Sequence, residues 1–244
     1  MTKTILIDAD IVLYQACCAC EVATDWGNDI WTLAADAKEC RQRVDVTFAD
    51  LKEELKADEL VVCLSDTENW RKSVYPDYKS NRKKTRKPLI YPEVKQYLLK
   101  VYRSFMWPQL EADDVLGILA TSNRYIKGEK IIVSEDKDLK TIPGLLYNPG
   151  KPELGVMKIA KKEADRNHLI QSLAGDRTDG YPGCPGVGPK GAEKVVDDGW
   201  DGVVQVYENA GITEQEALVQ AQVARILRAN EWTKTKGVKL WQPK

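Results

Sequence analysis

Three short apolar runs in this chain each stop at an acid. TILI, from Thr4 to Ile7, ends at Asp8; LVVCLS, from Leu60 to Ser65, ends at Asp66; KIIVS, from Lys130 to Ser134, is followed by Glu135, Asp136 and Asp138. Runs this brief and this continuous read as strands buried on both faces. Between them the periodicity is helical. Val12, Leu13, Ala16 and Cys20 follow Asp8; Val44, Phe48, Leu51 and Leu55 share one face of a stretch from Ala34 to Leu55; Pro92 opens a helix predicted over Glu93 to Phe105. Strands alternating with helices predict an α/β fold with a mostly parallel sheet. Ligands of such sheets collect beyond the carboxyl ends of the strands. Asp8, Asp66 and the Asp136/Asp138 pair would therefore line one edge, joined by Glu111, Asp113 and Asp114 at the start of the helix LEADDVLGILA.

Each of these acids has an ordinary reading as well. An Asp after a strand can close a turn, and Asp113 and Asp114 can stabilise a helix N-terminus through its dipole. Their recurrence along one edge favours a further purpose, because two carboxylates about 4 Å apart repel by a few kcal/mol at an effective dielectric of 20. A hard divalent cation is the economical counter-charge. Mg²⁺ prefers oxygen ligands and keeps several waters. With enough carboxylates for two cations, hydrolysis of phosphate esters by a two-metal site is the expected reaction class.

The formal charge is −1, from 36 basic and 37 acidic residues, which argues against a simple DNA-coating protein. The distribution is polarised, however. WRKSVYPDYKSNRKKTRK carries Arg71, Lys72, Lys79, Arg82, Lys83, Lys84, Arg86 and Lys87 against Asp77 alone, interleaved with Trp70, Tyr75 and Tyr78. That mixture suits phosphate neutralisation with base stacking, and its plain alternative is a solvated loop. From about Lys161 helices are broken by GDRTDGYPGCPGVGPKG. There GVGPKG, Gly186 to Gly191, resembles the hairpin of a helix-hairpin-helix, whose backbone N–H groups approach a DNA phosphate. Upstream, Asp176 and Asp179 add further acids, expected at that spacing to reach the acidic edge.

The chain holds a single histidine, His168, which removes most Ser/His/Asp and Cys/His chemistry; it is expected to be structural or solvent-facing. Cys17 and Cys20 form a CxxC that no second pair answers, so buried reduced thiols are expected rather than a zinc site. No apolar run approaches a membrane span, and a cytoplasmic location is expected, that of the host if the chain is phage-encoded.

Together these segments resemble the 5′ nuclease family of flap endonucleases and 5′→3′ exonucleases, and are especially similar to the exonucleases of short-tailed T-odd-type bacteriophages. The likeness runs through LIDAD, SDTENWRK, YKSNRK, LEADDVLG, SEDKDLKTI, GDRTDGYPG with GVGPKG, and the C-terminal ARILRANEW and LWQP. It implies a PIN-like nuclease core over residues 1–160, with a basic gateway near 67–92, and a helical DNA-binding region of helix-three-turn-helix type over 161–244. It also implies two Mg²⁺ ions, replaceable by Mn²⁺, and K⁺ at the hairpin 186–191. Asp8, Asp66, Glu111, Asp113, Asp114 and Asp136 match the family's inner acidic cluster, and Asp138, Asp176 and Asp179 its outer one. Lys79 and Arg82 match residues that contact the scissile phosphate, with Asp113 the acid on which catalysis is staked, and Tyr78 lies where an aromatic meets the terminal base. Arg71, Lys72, Lys83, Lys84, Gly186, Gly188 and Lys190 would contact DNA. Gly191 departs from the hydroxyl residue often found there, and the segment from Asp66 to Pro92 is short for a full helical arch.

The expected substrate is duplex, nicked or 5′-flapped DNA, with RNA primers in hybrids as a further target, in phage replication, recombination or host DNA degradation; a monomer is expected. Two rivals stand beside this reading. IDADIV with Ser65 and Asp113/Asp114 mimics a haloacid-dehalogenase-like phosphatase with Asp8 as nucleophile. The other is a catalytically inactive, structure-specific DNA-binding protein.

Overall fold

A computed structural model describes residues 2–84 and 86–243, with the side chains of Lys83 and Lys84 outside the described residues. The elements run in order β1 (Lys3–Asp8), α1 (Ala9–Cys20), β2 (Glu21–Asp25), β3 (Trp31–Ala35), α2 (Ala37–Glu54), β4 (Glu59–Cys63), α3 (Arg71–Val74), α4 (Tyr91–Val101), β5 (Ser104–Phe105), α5 (Ala112–Ala120), β6 (Glu129–Val133), β7 (Gly144–Tyr147), β8 (Val156–Ile159), α6 (Lys161–Ala174), α7 (Pro189–Ala192), α8 (Gly199–Asn209), α9 (Glu214–Ala224), β9 (Trp232–Thr233) and β10 (Gly237–Val238).

The three apolar runs form the centre of a six-stranded sheet of order β5-β4-β1-β6-β7-β8. Only β7 and β8 pair antiparallel. Both faces of this sheet are covered, which is why its central strands read as unbroken apolar runs rather than alternations. Ile5, Ile7, Val62 and Val133 pack under α1, α2 and α4. Leu6, Val61, Cys63 and Ile132 pack on the other side against Val115, Leu116 and Leu119 of α5 and against Ile226, Leu227 and Trp232 near the C-terminus. The approach of that last segment is close: a Cβ at Gly117 of α5 would overlap the Leu227 carbonyl.

Chain order moves from β1 outward to β4 on one side and later to β6 on the other. β1 is thus the switch point of the sheet, where a crevice opens beyond the strand ends. Asp8 is the last residue of β1, level with Cys63 of β4, while Ile7 pairs with Val133 of β6. Register alone therefore places Asp8 beside the ends of both neighbours.

Two helix boundaries differ from the sequence expectation. The stretch from Ala34 does not start a helix: Trp31–Ala35 pairs antiparallel with Glu21–Asp25 across a turn in which Gly27, Asn28 and Asp29 all have positive φ. Helix α2 begins only after Asp36, whose carboxylate accepts the N–H groups of Lys38 and Glu39. The helix opened by Pro92 stops at Val101, and Ser104–Phe105 joins the sheet as its edge strand.

From Lys161 the chain is mainly helical, with its own core of Leu173, Cys184, Ala192, Val196, Val203, Tyr207 and Ala217. His168 of α6 is buried there, and its Nε2–H donates to the Ala221 carbonyl of α9 at 2.8 Å. Trp241 meets its ring edge-on at 4.9 Å. Burial, then the Arg225 charge, pushes the imidazole down to about 3 from the ordinary 6.5. Cys17 and Cys40 are likewise buried, their sulfurs 3.5 Å apart. Among the described residues no helix is long and apolar enough to cross a membrane.

The unfolded chain takes up a proton on His168 near pH 6.5 that the native state refuses until about pH 3. This residue's contribution therefore grows as pH rises through that window and is lost as pH falls. In chemical denaturation of the metal-free protein, the stability advantage of wild type over His168→Gln is expected to shrink by about 1.4 kcal/mol per pH unit below 6.5. A pH-independent difference would refute the assignment.

Candidate active site

At the crevice beside β1 a cavity of about 650 Å³ has Asp8, Asp10, Glu111, Asp113, Asp136 and Asp179 among its lining acids, with Lys79, Arg82, Arg86 and Lys87 as its lining bases. Local hydrogen bonds fix the acids. Ser134, directly after β6, donates its hydroxyl to Asp8 at 2.7 Å and accepts the Asp136 N–H at 3.0 Å. Ser65, after β4, accepts the Ala112 N–H at 2.8 Å and so pins the first residue of α5, which carries Asp113 into the cavity. Asp136 in turn accepts the Asp138 N–H at 2.8 Å. Asp176 accepts the N–H groups of Thr178 and Asp179, closing the loop that presents the outer acids.

The electrostatics record crowding. Burial, then the Asp10 and Asp136 charges, pushes Asp8 up to about 7 against the lowering effect of the Ser134 hydrogen bond. Burial, followed by Asp8, Asp136 and Glu111, raises Asp113 well above its ordinary value. Asp138 is pushed up to about 7 by burial and Asp136, with Asp176 and Asp179 adding to the effect. Glu111 goes the other way. Burial alone would raise it, but the Lys79 and Arg71 charges hold it at about 2.

Lys79 pairs with Glu111 and lies 3.5 Å from Asp179, and Arg82 binds Asp179 at 2.6 Å. Lys79 itself adopts the left-handed region at φ 54, locked by its N–H to the Asp179 carbonyl at 2.7 Å. The basic segment is thus stapled across both acid groups. The charge pattern predicted from sequence, acids facing bases, is present in one cavity.

Several expected residues serve other ends. Asp114 is fully buried, facing away from the cavity: Arg71 grips its two oxygens at 2.8 and 2.9 Å, and the Trp70 indole and the Leu227 N–H complete the set. With its oxygens committed, it anchors the C-terminal segment to α5 and is not placed to hold a metal. Arg71, expected on DNA, is 3% exposed and also donates to the Val223 and Arg225 carbonyls, so it cannot reach a phosphate. Tyr78, expected at a terminal base, is buried; its hydroxyl lies 2.9 Å from Glu111 and 2.8 Å from Asp179, bridging the two acid groups. Asp66 closes a turn through the Gln109, Thr67 and Glu68 N–H groups, Gln109 foremost, and does not line the cavity.

Lys72 is exposed on α3, and Gly186, Gly188 and Lys190 are exposed around the start of α7. A Cβ at Gly186 or Gly188 would meet nothing within 4 Å. The side chains of Lys83 and Lys84 lie outside the described residues. Asp10 escaped the sequence reading although it stands two residues after Asp8 on the first turn of α1. It accepts the Ser65 N–H at 2.9 Å and the Tyr91 hydroxyl at 3.0 Å. The i, i+2 acid spacing was the available signal, obscured because Asp10 falls inside the helical pattern.

Among the described residues no three His, Cys, Asp or Glu side chains stand in ready coordination geometry. The donor chemistry nevertheless fits a hard cation. Asp8, Asp113, Asp136 and Asp138 supply oxygen only, and burial and mutual repulsion push three of the four upward, Asp8 and Asp138 to about 7 and Asp113 well above its ordinary value. Such a set suits an ion that retains several waters rather than a tight all-protein cage.

The sequence matches the family model described as 5′–3′ exonuclease, N-terminal resolvase-like domain, over residues 3–145. It is 32% identical to the exodeoxyribonuclease of Enterobacteria phage T3, an alignment covering 98% of this chain and 93% of that protein. The fold is similar to that of the T5 5′-exonuclease with bound zinc, with a TM-score of 0.70 at 12% identity, covering 91% of this chain and 89% of the other. It is also similar to a bacteriophage T5 flap endonuclease in a complex with DNA and metal ions, with a TM-score of 0.65 at 12% identity and coverage of 91% and 88%. These structural likenesses establish the PIN-like, mostly parallel architecture expected from sequence.

Removing one partner of a buried ion pair strands the other charge. Arg71→Met is therefore expected to lower stability by about 3–5 kcal/mol in urea denaturation, whereas Lys72→Met next to it should stay within about 0.5 kcal/mol of wild type. Equal small effects would mean that Arg71 is not the anchor of Asp114.

Proposed function

The chain belongs to the 5′–3′ exonuclease family and is a 5′ nuclease, and on that premise we propose that it hydrolyses DNA phosphodiesters from 5′ ends of duplex, nicked or flapped substrates with divalent cations in the cavity beside β1. The observation that carries this reading is the confrontation of Asp8, Asp113 and Asp136 with Lys79 and Arg82 across one cavity. Acids alone would repel a phosphodiester, and bases alone would bind it without activating water.

Asp8, Glu111, Asp113 and Asp136 would hold an inner Mg²⁺ or Mn²⁺, and Asp138, Asp176 and Asp179 an outer one. The chemistry such cations supply when bound is a lowered pKa for water at neutral pH and charge compensation at the leaving oxygen. The protein's own residues do the rest. Ser134 orients Asp8, and Ser65 fixes the start of α5 and hence Asp113. Lys79 and Arg82 offset the charge that builds on the phosphate as the bond to the leaving oxygen breaks. Their carboxylate partners Glu111 and Asp179 keep both side chains at the cavity. The exposed hairpin around Gly186, Gly188 and Lys190 offers backbone N–H groups and a cation to the duplex away from the cut.

Relatives named exodeoxyribonuclease and flap endonuclease support activity on both ends and flaps. The phage relative supports a phage setting; we propose a place in phage DNA replication, recombination or host DNA degradation, with RNA primers in hybrids as an additional substrate. The phosphatase alternative is set aside by the match to the 5′–3′ exonuclease family model over residues 3–145.

Two measurements test the reading. Asp113→Asn should lower Mg²⁺-dependent release of nucleotides from 5′-labelled duplex by at least about 10²-fold, while duplex binding without divalent metal persists; near-wild-type cleavage would overturn the site. Lys190→Ala should weaken duplex binding and reduce the slope of log K against log salt by about 0.9. An unchanged slope would remove the hairpin from the interface.

A further inference from the structure

Behind the acids lies a second, much smaller chamber of about 20 Å³. Its lining includes Glu111, Asp113 and Asp179, which also line the larger cavity, together with Asp138, Gln171 of α6 and Tyr181. The Tyr181 hydroxyl and Gln171 Oε1 are both buried and have no protein partner among the described residues. Tyr181 is 2% exposed, and the charges of Asp138, Asp176 and Asp179 all bear on its hydroxyl.

This ring cannot swing out to find a partner. Asp176 and Tyr181 exchange backbone hydrogen bonds at 2.9 and 3.1 Å. A Cβ at Gly183 would overlap the Gly175 N–H, so the loop that carries Tyr181 is closed tightly upon α6. The Tyr181 ring also stacks on Tyr78 at 6.4 Å between centroids. A hydroxyl held this firmly and a buried amide oxygen, both without a protein partner among the described residues and both from residues lining one polar chamber, call for a ligand in it. The volume suits one water, which needs about 10–15 Å³ and two to four polar partners. The Arg71 guanidinium also lines the chamber and disfavours a cation, and the surrounding carboxylates disfavour an anion.

We propose that this chamber is a single-water site, and that Tyr181 and Gln171 are positioning residues acting through that water on the Asp138 carboxylate. The water accepts a hydrogen bond from the Tyr181 hydroxyl and donates to Gln171 Oε1 and to Asp138, so both orphaned atoms gain a partner. Asp138 is thereby oriented through one oxygen, with the other left free. The effect on the outer cation rests on the proposed function; the water itself does not.

A crystal structure of the metal-free protein at high resolution is expected to show one water within hydrogen-bond distance of Tyr181 and Gln171, and a chamber without it overturns the proposal. Calorimetric titration with Mn²⁺ in the absence of DNA, on wild type, Tyr181→Phe, Gln171→Leu and the double variant, reads the positioning. Each single change should weaken the weaker binding event about 10–100-fold and leave the tighter event unchanged, and the double variant should be no worse than either single. Wild-type isotherms in both single variants, or additive losses in the double, overturn the positioning role. If wild type itself binds no Mn²⁺, the divalent-metal reading falls, while the crystallographic water still decides the chamber.

Discussion

The organising constraint in this protein is repulsion among carboxylates crowded beyond the end of β1. A parallel sheet brings its strand ends to one edge, and the sequence puts acids at the end of β1, after β6 and at the start of α5; burial then raises the cost of ionising them together. Asp8, Asp113 and Asp138 carry this cost visibly in their raised pKa values, while Glu111 escapes it through Lys79 and Arg71. The architecture around the cleft consists of answers to that repulsion. Some are fixed, such as the Ser134 hydroxyl on Asp8; others are exchangeable, such as the lysine and arginine of the basic segment.

Adjacent acids on α5 show how finely the answer is divided. Asp113 and Asp114 sit in the same helical turn, so their side chains point about 100° apart. One therefore enters the cavity while the other enters the protein, where Arg71, Trp70 and Leu227 take up its oxygens. The buried pair does structural duty at the very base of the functional helix: it ties the segment around Leu227 to α5, and through Ser65 and Ala112 the same helix start is tied to β4. Asp113 is thus clamped from both sides without spending its own oxygens.

This division also marks what sequence could and could not disclose. The central strands, the helices behind them and the acidic edge were legible because they depend on period and order along the chain. The β2–β3 hairpin escapes a sequence reading that assigns residues 21–33 to no element and draws Ala34 and Ala35 into the helix that follows. Arg71, Tyr78 and Asp114 were chosen for the right charge and chemistry but for the wrong direction. A basic segment reads alike whether a given side chain faces solvent or a buried carboxylate. Their true roles depend on α9 and on the loop bearing Asp179, which are more than a hundred residues away in sequence.

The basic segment therefore has two faces with opposite electrostatic tasks. Arg71 and Tyr78 point inward and are permanent: a buried guanidinium bound to Asp114 and a buried phenol between Glu111 and Asp179 have no competing solvent and no access to substrate. Lys79 and Arg82 are farther out, and their carboxylate partners also belong to the acid groups that a cation would claim. Any positive charge that binds Glu111 or Asp179 weakens their hold on Lys79 and Arg82, and any phosphate that reaches those two side chains weakens their hold on the acids. Under the proposed function, a cation and a phosphodiester would thus favour each other's entry by competing for opposite halves of the same ion pairs, a coupling that requires no movement of the sheet.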